Sequence, residues 1–156
     1  MRILVDTSVW SLALRPSGTD LSQKEALAVN LLKELIRDGR VVVIGPVRQE
    51  VLSGIPDEAQ FRKLKSKLRA FEDLGLTSDD YELAAEFTNA CRKRGVQGSH
   101  IDFLICAVAA RNQLPVFTST GILRDTRNRL GFHFTDISSG FRLERGDFAA
   151  PGRSHP

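Results

Sequence analysis

The sequence predicts an α/β domain, an α/β/α sandwich built around a short parallel sheet. Two β-branched apolar runs, RILV at 2–5 and VVVI at 41–44, are bounded by polar residues or glycine, as strands covered on both faces are. Stretches with helical spacing follow each of them, and alternation of strand and helix is the arrangement that a parallel sheet requires. The chain has 156 residues with 42% hydrophobic content, enough for one core and without a linker that would divide it.

Taken in order, the first strand covers 2–5 and stops at Asp6, with a helix starting near Ser8. The spacing predicts a helix over 22–38: Leu27, Leu31 and Leu35 form one row, Ala28, Leu32 and Ile36 the next, and Gly39 ends it. After the strand at 41–44, Pro46 suits a first helical position, so a strand-to-helix junction falls at Gly45 and Pro46. The segments 57–71 and 78–95 begin acidic and turn basic, which complements a helix dipole, and are expected to form a helical pair. A helix over 99–113 leads directly into PVF at 115–117, a third strand, and HFTDI at 133–137 reads as a weak fourth. The expected division is a domain over 1–137 and a peripheral tail over 138–156, which is polar and without periodicity.

Bulk properties exclude several classes. The formal charge of +3, from 22 Lys and Arg against 19 Asp and Glu, permits a polyanionic partner without demanding one. No stretch approaches the length of a membrane span and the N-terminus lacks a secretory pattern, so a cytoplasmic protein is expected. Cys91 and Cys106 fit neither a zinc motif nor a disulfide framework; a bridge between their two helices is the alternative to free thiols.

In an open α/β sheet, functional groups gather beyond the carboxyl ends of the strands. Asp6 ends strand one, Glu50 lies in the first turns of the helix after strand two, and Asp102 opens the helix before strand three. Each also has a plain structural reading. Asp6 could cap the following helix, Glu50 could be a solvated residue at the border of the apolar face, and Ser99 with Asp102 fits a capping box. Brought together, the three would repel, and a cation or raised pKa values would relieve the repulsion. An all-carboxylate pocket suits Mg²⁺ or Mn²⁺ better than zinc, and such an ion supports phosphodiester hydrolysis.

The blocks LVDTSVW, VRQEVLSG and IDFLICAVAARNQLPVFTST resemble, in order and spacing, the motifs of PIN-domain nucleases, over residues 2 to about 120. The short chain and the VDTSVW opening are similar to VapC-type toxins of toxin–antitoxin pairs. The resemblance implies a Mg²⁺- or Mn²⁺-dependent endoribonuclease, homodimeric and restrained by a cognate antitoxin. Asp6, Glu50 and Asp102 match the family's catalytic, metal-holding acidic positions. Thr7 and Ser8 match hydroxyls that steady the first carboxylate or its metal-bound water. One position departs from the pattern: in TSTGIL, Thr120 stands where a further acid is common, which leaves one metal or two open and gives Thr118 and Thr120 the role of supplying hydroxyls.

Arg124, Arg127 and Arg129 follow the third strand and are candidates for RNA backbone contacts. The basic run at 62–69 reads as a solvated helix face, with a phosphate-tracking surface or an interface for an acidic partner as alternatives. His100 reads as a surface residue at a helix entry and Trp10 as packing. Two further functions compete with the nuclease: a PIN-like module that binds RNA or antitoxin without cutting, and an aspartyl-phosphate phosphatase. The phosphatase lacks its second acid, because Ser8 occupies that position.

Overall fold

The computed structural model describes residues 1–15 and 18–120. The fourth strand expected at 133–137, the tail at 138–156 and Arg124, Arg127 and Arg129 lie outside the described residues. Three strands, β1 (Ile3–Val5), β2 (Val41–Val42) and β3 (Val116–Phe117), pair in parallel in the order β2-β1-β3. The register sets Ile3 opposite Val41, and Leu4 opposite both Val42 and Val116. Central β1 has no exposed residue, as expected of a strand covered on both faces. Burying a side chain of the size of Ile3, Leu4 or Val5 contributes about 1.5–3 kcal/mol.

Six helices, α1 (Thr7–Ala13), α2 (Gln23–Arg37), α3 (Gly45–Ser53), α4 (Glu58–Leu68), α5 (Ser78–Arg92) and α6 (His100–Asn112), surround the sheet among the described residues. Their ends follow the local chemistry. Ser22 and Glu25 close a reciprocal capping box on α2, whose end is followed by Gly39 at a φ of +65°. Pro46 lies in the first turn of α3. Gln113 adopts the left-handed conformation, φ 52°, and turns the chain from α6 toward β3. Helix α6 is buried along Phe103–Ala109 and carries the centre of the core.

Two features differ from expectation. The apolar rows of α2 split: Leu32 and Leu35 are buried, while Leu27 is 63% exposed. Helices α4 and α5 do not make the expected pair as their main packing; α5 lies against α6, and α4 lies against α3. The reason is visible in two arginines. Arg111 of α6 binds Asp79 and Asp80 at the start of α5, and Arg48 of α3 binds Asp73 together with the Leu68 and Phe71 carbonyls at the end of α4. The segment after α4 is thereby laid along the sheet, where Val43 bridges Asp73 in parallel.

The strand order positions the site. From β1 the chain moves to β2 on one side, then crosses through α3–α6 to β3 on the other. A crevice opens at such a switch point beyond the carboxyl ends of the strands. Asp6 and Thr118, the residues that follow β1 and β3, stand there.

Candidate functional site

Asp6 extends the β1–β3 ladder through its backbone N–H, which donates to the Phe117 carbonyl at 2.9 Å. It occupies the N-cap position of α1, yet its side chain makes no capping bond. The carboxylate turns to hydroxyls instead: Ser8 Oγ donates to Asp6 Oδ2 at 2.5 Å and Thr118 Oγ1 donates to the same oxygen at 2.8 Å. Each hydroxyl has a single hydrogen, so these two bonds orient the rest of the network. Thr118 Oγ1, its proton spent, accepts from the Thr120 backbone N–H and from Thr120 Oγ1, both at 3.1 Å. Ser8 Oγ accepts the Ser119 N–H at 3.1 Å.

Asp6 is 4% exposed, and no Arg, Lys or His side chain pairs with it among the described residues. Burial pushes its carboxyl above the usual carboxylate range, the Ser8 and Thr118 hydroxyls pull it down, and the charge on Asp102 pushes it up again; the net direction is upward. The influence of Asp102 places that carboxylate within electrostatic reach of Asp6.

Asp102 realises its structural reading as well. The Ser99 N–H donates to Asp102 Oδ2 at 2.7 Å, and the Asp102 N–H donates to Ser99 Oγ at 3.1 Å. The capping box thus fixes the carboxylate at the mouth of α6, on the strand-end side of the sheet. Glu50, exposed on α3, accepts a 2.6 Å hydrogen bond at Oε2 from Thr7 Oγ1. This separates the roles of the two neighbouring hydroxyls: Ser8 steadies Asp6, whereas Thr7 holds Glu50.

The structure therefore brings Asp6, Ser8, Thr118 and Thr120 into one hydrogen-bonded group, with Asp102 within charge range and Glu50 attached through Thr7. Among the described residues, no three Asp, Glu, His or Cys side chains stand close enough to form a ready metal cluster. The donor chemistry still fits a hard divalent ion, because hydroxyl oxygens surround a buried carboxylate that has no cationic partner among the described residues. Cys106, one turn beyond Asp102, does not alter that character: burial first, and then the neighbouring Asp102 charge, push its thiol far above its ordinary range and keep it neutral.

Trp10 is buried and packs edge-on against Phe71, with ring centroids 5.5 Å apart, and His100 is exposed at the first turn of α6. Both Cys91 and Cys106 are free thiols. No described helix is long and apolar enough to cross a membrane. The bonding of Arg48 and Arg111 was not foreseeable, since neither has its partners at helical spacing: Arg48 reaches Leu68, Phe71 and Asp73, and Arg111 reaches Asp79 and Asp80.

Solved structures share this architecture. FitAcB from Neisseria gonorrhoeae superposes with a TM-score of 0.66 at 19% identity, covering 89% of this chain and 99% of that one. VapBC2 from Rickettsia felis, bound to a DNA fragment from its promoter, gives 0.62 at 17% identity over 82% and 95%. PAE2754 from Pyrobaculum aerophilum gives 0.52 at 18% identity over 81% and 84%. No curated protein matches the chain. At these identities the superpositions establish fold; residues 3–127 also match the PIN domain as a family, and the chain belongs to that family.

Proposed function

We propose that this protein is a divalent-cation-dependent endoribonuclease, the toxin of a toxin–antitoxin pair. The observation that carries the reading is Asp6: a carboxylate buried at the switch point of the sheet, held by two hydroxyls, close to a second carboxylate and without a cationic partner among the described residues. Burying an unpaired charge is costly, and a bound cation offsets that cost. PIN domains are generally nucleases.

In this reading Asp6, Glu50 and Asp102 hold Mg²⁺ or Mn²⁺. The ion, when bound, polarises a phosphoryl oxygen and makes water a competent nucleophile. Ser8 and Thr118 fix the plane of the Asp6 carboxylate and favour its ionised form. Thr7 orients Glu50, and the Ser99 capping box orients Asp102. Thr120 supports Thr118 where an acid is common in related sequences, and a site of three carboxylates follows. Arg124, Arg127 and Arg129 remain the proposed RNA backbone contacts.

The neighbours FitAcB and VapBC2 are toxin–antitoxin complexes, VapBC2 solved on a DNA fragment from its promoter, and they support an antitoxin as partner for this chain. We also propose a homodimer and a cytoplasmic setting, which the resemblance to VapC-type toxins implies. Incubation of RNA with purified protein tests the proposal: fragments are expected with Mg²⁺ or Mn²⁺, and none with a chelator or with Asp6→Asn. A metal-independent product, or cutting by Asp6→Asn at the wild-type rate, overturns it. RNA binding without any cutting supports the non-catalytic module instead.

A further inference from the structure

We infer that the acidic site selects its cation by offering one oxygen from each carboxylate: it favours a small octahedral ion that keeps water, of the Mg²⁺ and Mn²⁺ type, over Ca²⁺. Thr7, Ser8, Ser99 and Thr118 set that preference as positioning residues. The inference rests on the nuclease reading above and names the ion chemistry of the same site.

The hydrogen bonds of the three acids follow one pattern. Asp6 commits Oδ2 to Ser8 and Thr118, Glu50 commits Oε2 to Thr7, and Asp102 commits Oδ2 to the Ser99 N–H. The other oxygens, Asp6 Oδ1, Glu50 Oε1 and Asp102 Oδ1, carry no hydrogen bond or ion pair among the described residues. Carboxylates elsewhere in the chain are completed by arginine. Glu25 accepts from Ser22 at Oε2 and from Arg15 at Oε1, Asp80 accepts from Thr77 at Oδ2 and from Arg111 at Oδ1, and Arg48 engages both oxygens of Asp73. At the site no arginine fills the second place, and each acid keeps one oxygen for a cation from solution.

The hydroxyls do little to enlarge this donor set. Thr118 Oγ1 donates to Asp6 and accepts from the Thr120 N–H and hydroxyl, so both of its lone pairs are occupied. Ser8 Oγ donates to Asp6 and accepts the Ser119 N–H. Nor do the acids enclose an ion by themselves, since no three metal-ligating side chains form a cluster among the described residues. Ca²⁺ takes about six to eight oxygens and often uses both oxygens of a carboxylate, whereas Mg²⁺ is held through about one or two carboxylates and retains several waters. Mn²⁺ shares the octahedral all-oxygen geometry. A sparse set of single oxygens therefore meets the needs of Mg²⁺ and Mn²⁺ and falls short of those of Ca²⁺.

The test is the ratio of the Ca²⁺ to the Mn²⁺ dissociation constant for the full chain without RNA, read from the paramagnetic signal of free Mn²⁺ as Ca²⁺ competes. Wild type is expected to release Mn²⁺ only to a large excess of Ca²⁺. Thr7→Val frees Glu50 Oε2, and Ser99→Pro, at a φ of −72° that proline adopts, removes the N–H that holds Asp102 Oδ2. Each is expected to lower the ratio about 10–100-fold, the usual effect of a group that orients a metal ligand. Thr7→Ser keeps the hydroxyl and Ser99→Ala keeps the N–H, and both are expected to retain the wild-type ratio. Damage to the fold weakens both ions alike and does not imitate this result. An unchanged ratio in either Thr7→Val or Ser99→Pro overturns the inference, as does a wild type that binds Ca²⁺ as tightly as Mn²⁺; if that protein still cuts RNA with Mn²⁺, the nuclease reading stands. A wild type that discriminates as expected but cuts no RNA with any divalent ion removes the nuclease reading and leaves the ion preference. Uptake of neither ion removes both.

Discussion

Thr118→Val isolates the hydrogen bond that holds the central carboxylate. Thr118 is fully buried, and its hydroxyl donates to Asp6 Oδ2 at 2.8 Å, so valine keeps the shape and removes the donor. A hydrogen bond to a charged group contributes about 1.5–3 kcal/mol, and that is the expected loss in stability. For a chain of this length each kcal/mol shifts Tm by about 2–4 °C, so a decrease of about 3–12 °C is expected. The assay is urea unfolding in chelator near neutral pH, repeated in an Asp6→Asn background. There the partner is a neutral acceptor, whose hydrogen bond contributes about 0.5–1.5 kcal/mol, so the two substitutions are expected to couple by about 1 kcal/mol. A Thr118→Val cost below about 0.5 kcal/mol, or costs in the two backgrounds that agree within about 0.3–0.5 kcal/mol, would refute the reasoning.

Metal-free wild type is expected to lose stability as pH rises from the ordinary Asp value of 3.8 through the raised value of Asp6, because the folded state binds the extra proton in that window. Asp6→Asn removes this slope; urea midpoints across pH show whether it does. Asp80 behaves oppositely. Burial would raise its carboxyl, but the Thr77 N–H and Arg111 outweigh burial and lower it, so its stabilisation is present above the ordinary value and lost as pH falls through the folded one. Asp80→Asn is therefore expected to flatten the acid limb of the same profile. Thr7→Val removes the hydroxyl that holds Glu50 and is expected to lower metal affinity about 10–100-fold, which Mn²⁺ titration measures. Arg48→Met abolishes the bonds to Asp73, Leu68 and Phe71 and is expected to cost about 2–3 kcal/mol in urea unfolding.

The parallel sheet was legible because Ile3–Val5 and the run from Val41 are short and β-branched, and because Pro46 and Gly39 punctuate the helices beside them. Asp102 was legible twice over, as a capping residue and as a site acid, and one carboxylate serves as the cap while lying in charge range of Asp6. Local pattern failed where tertiary chemistry decides. Nothing in the order of residues says that Thr7 reaches Glu50 rather than Asp6, because that depends on how α3 leaves β2. The pairing of α4 and α5 suggested by adjacency yields to Arg48 and Arg111, whose partners lie 20 or more positions away in the chain. The split of the apolar rows on α2 likewise reflects which face the sheet covers, and periodicity gives the stripe without its partner.

Equilibrium binding of Mn²⁺, followed by its paramagnetic resonance signal as free ion is titrated with protein, addresses the three carboxylates directly. Wild type is expected to take up the ion, and Asp6→Asn, Glu50→Gln and Asp102→Asn each to weaken uptake severely while remaining folded. Undiminished uptake in any one of the three would remove that residue from the site, and undiminished uptake in all three would contradict a shared cation altogether.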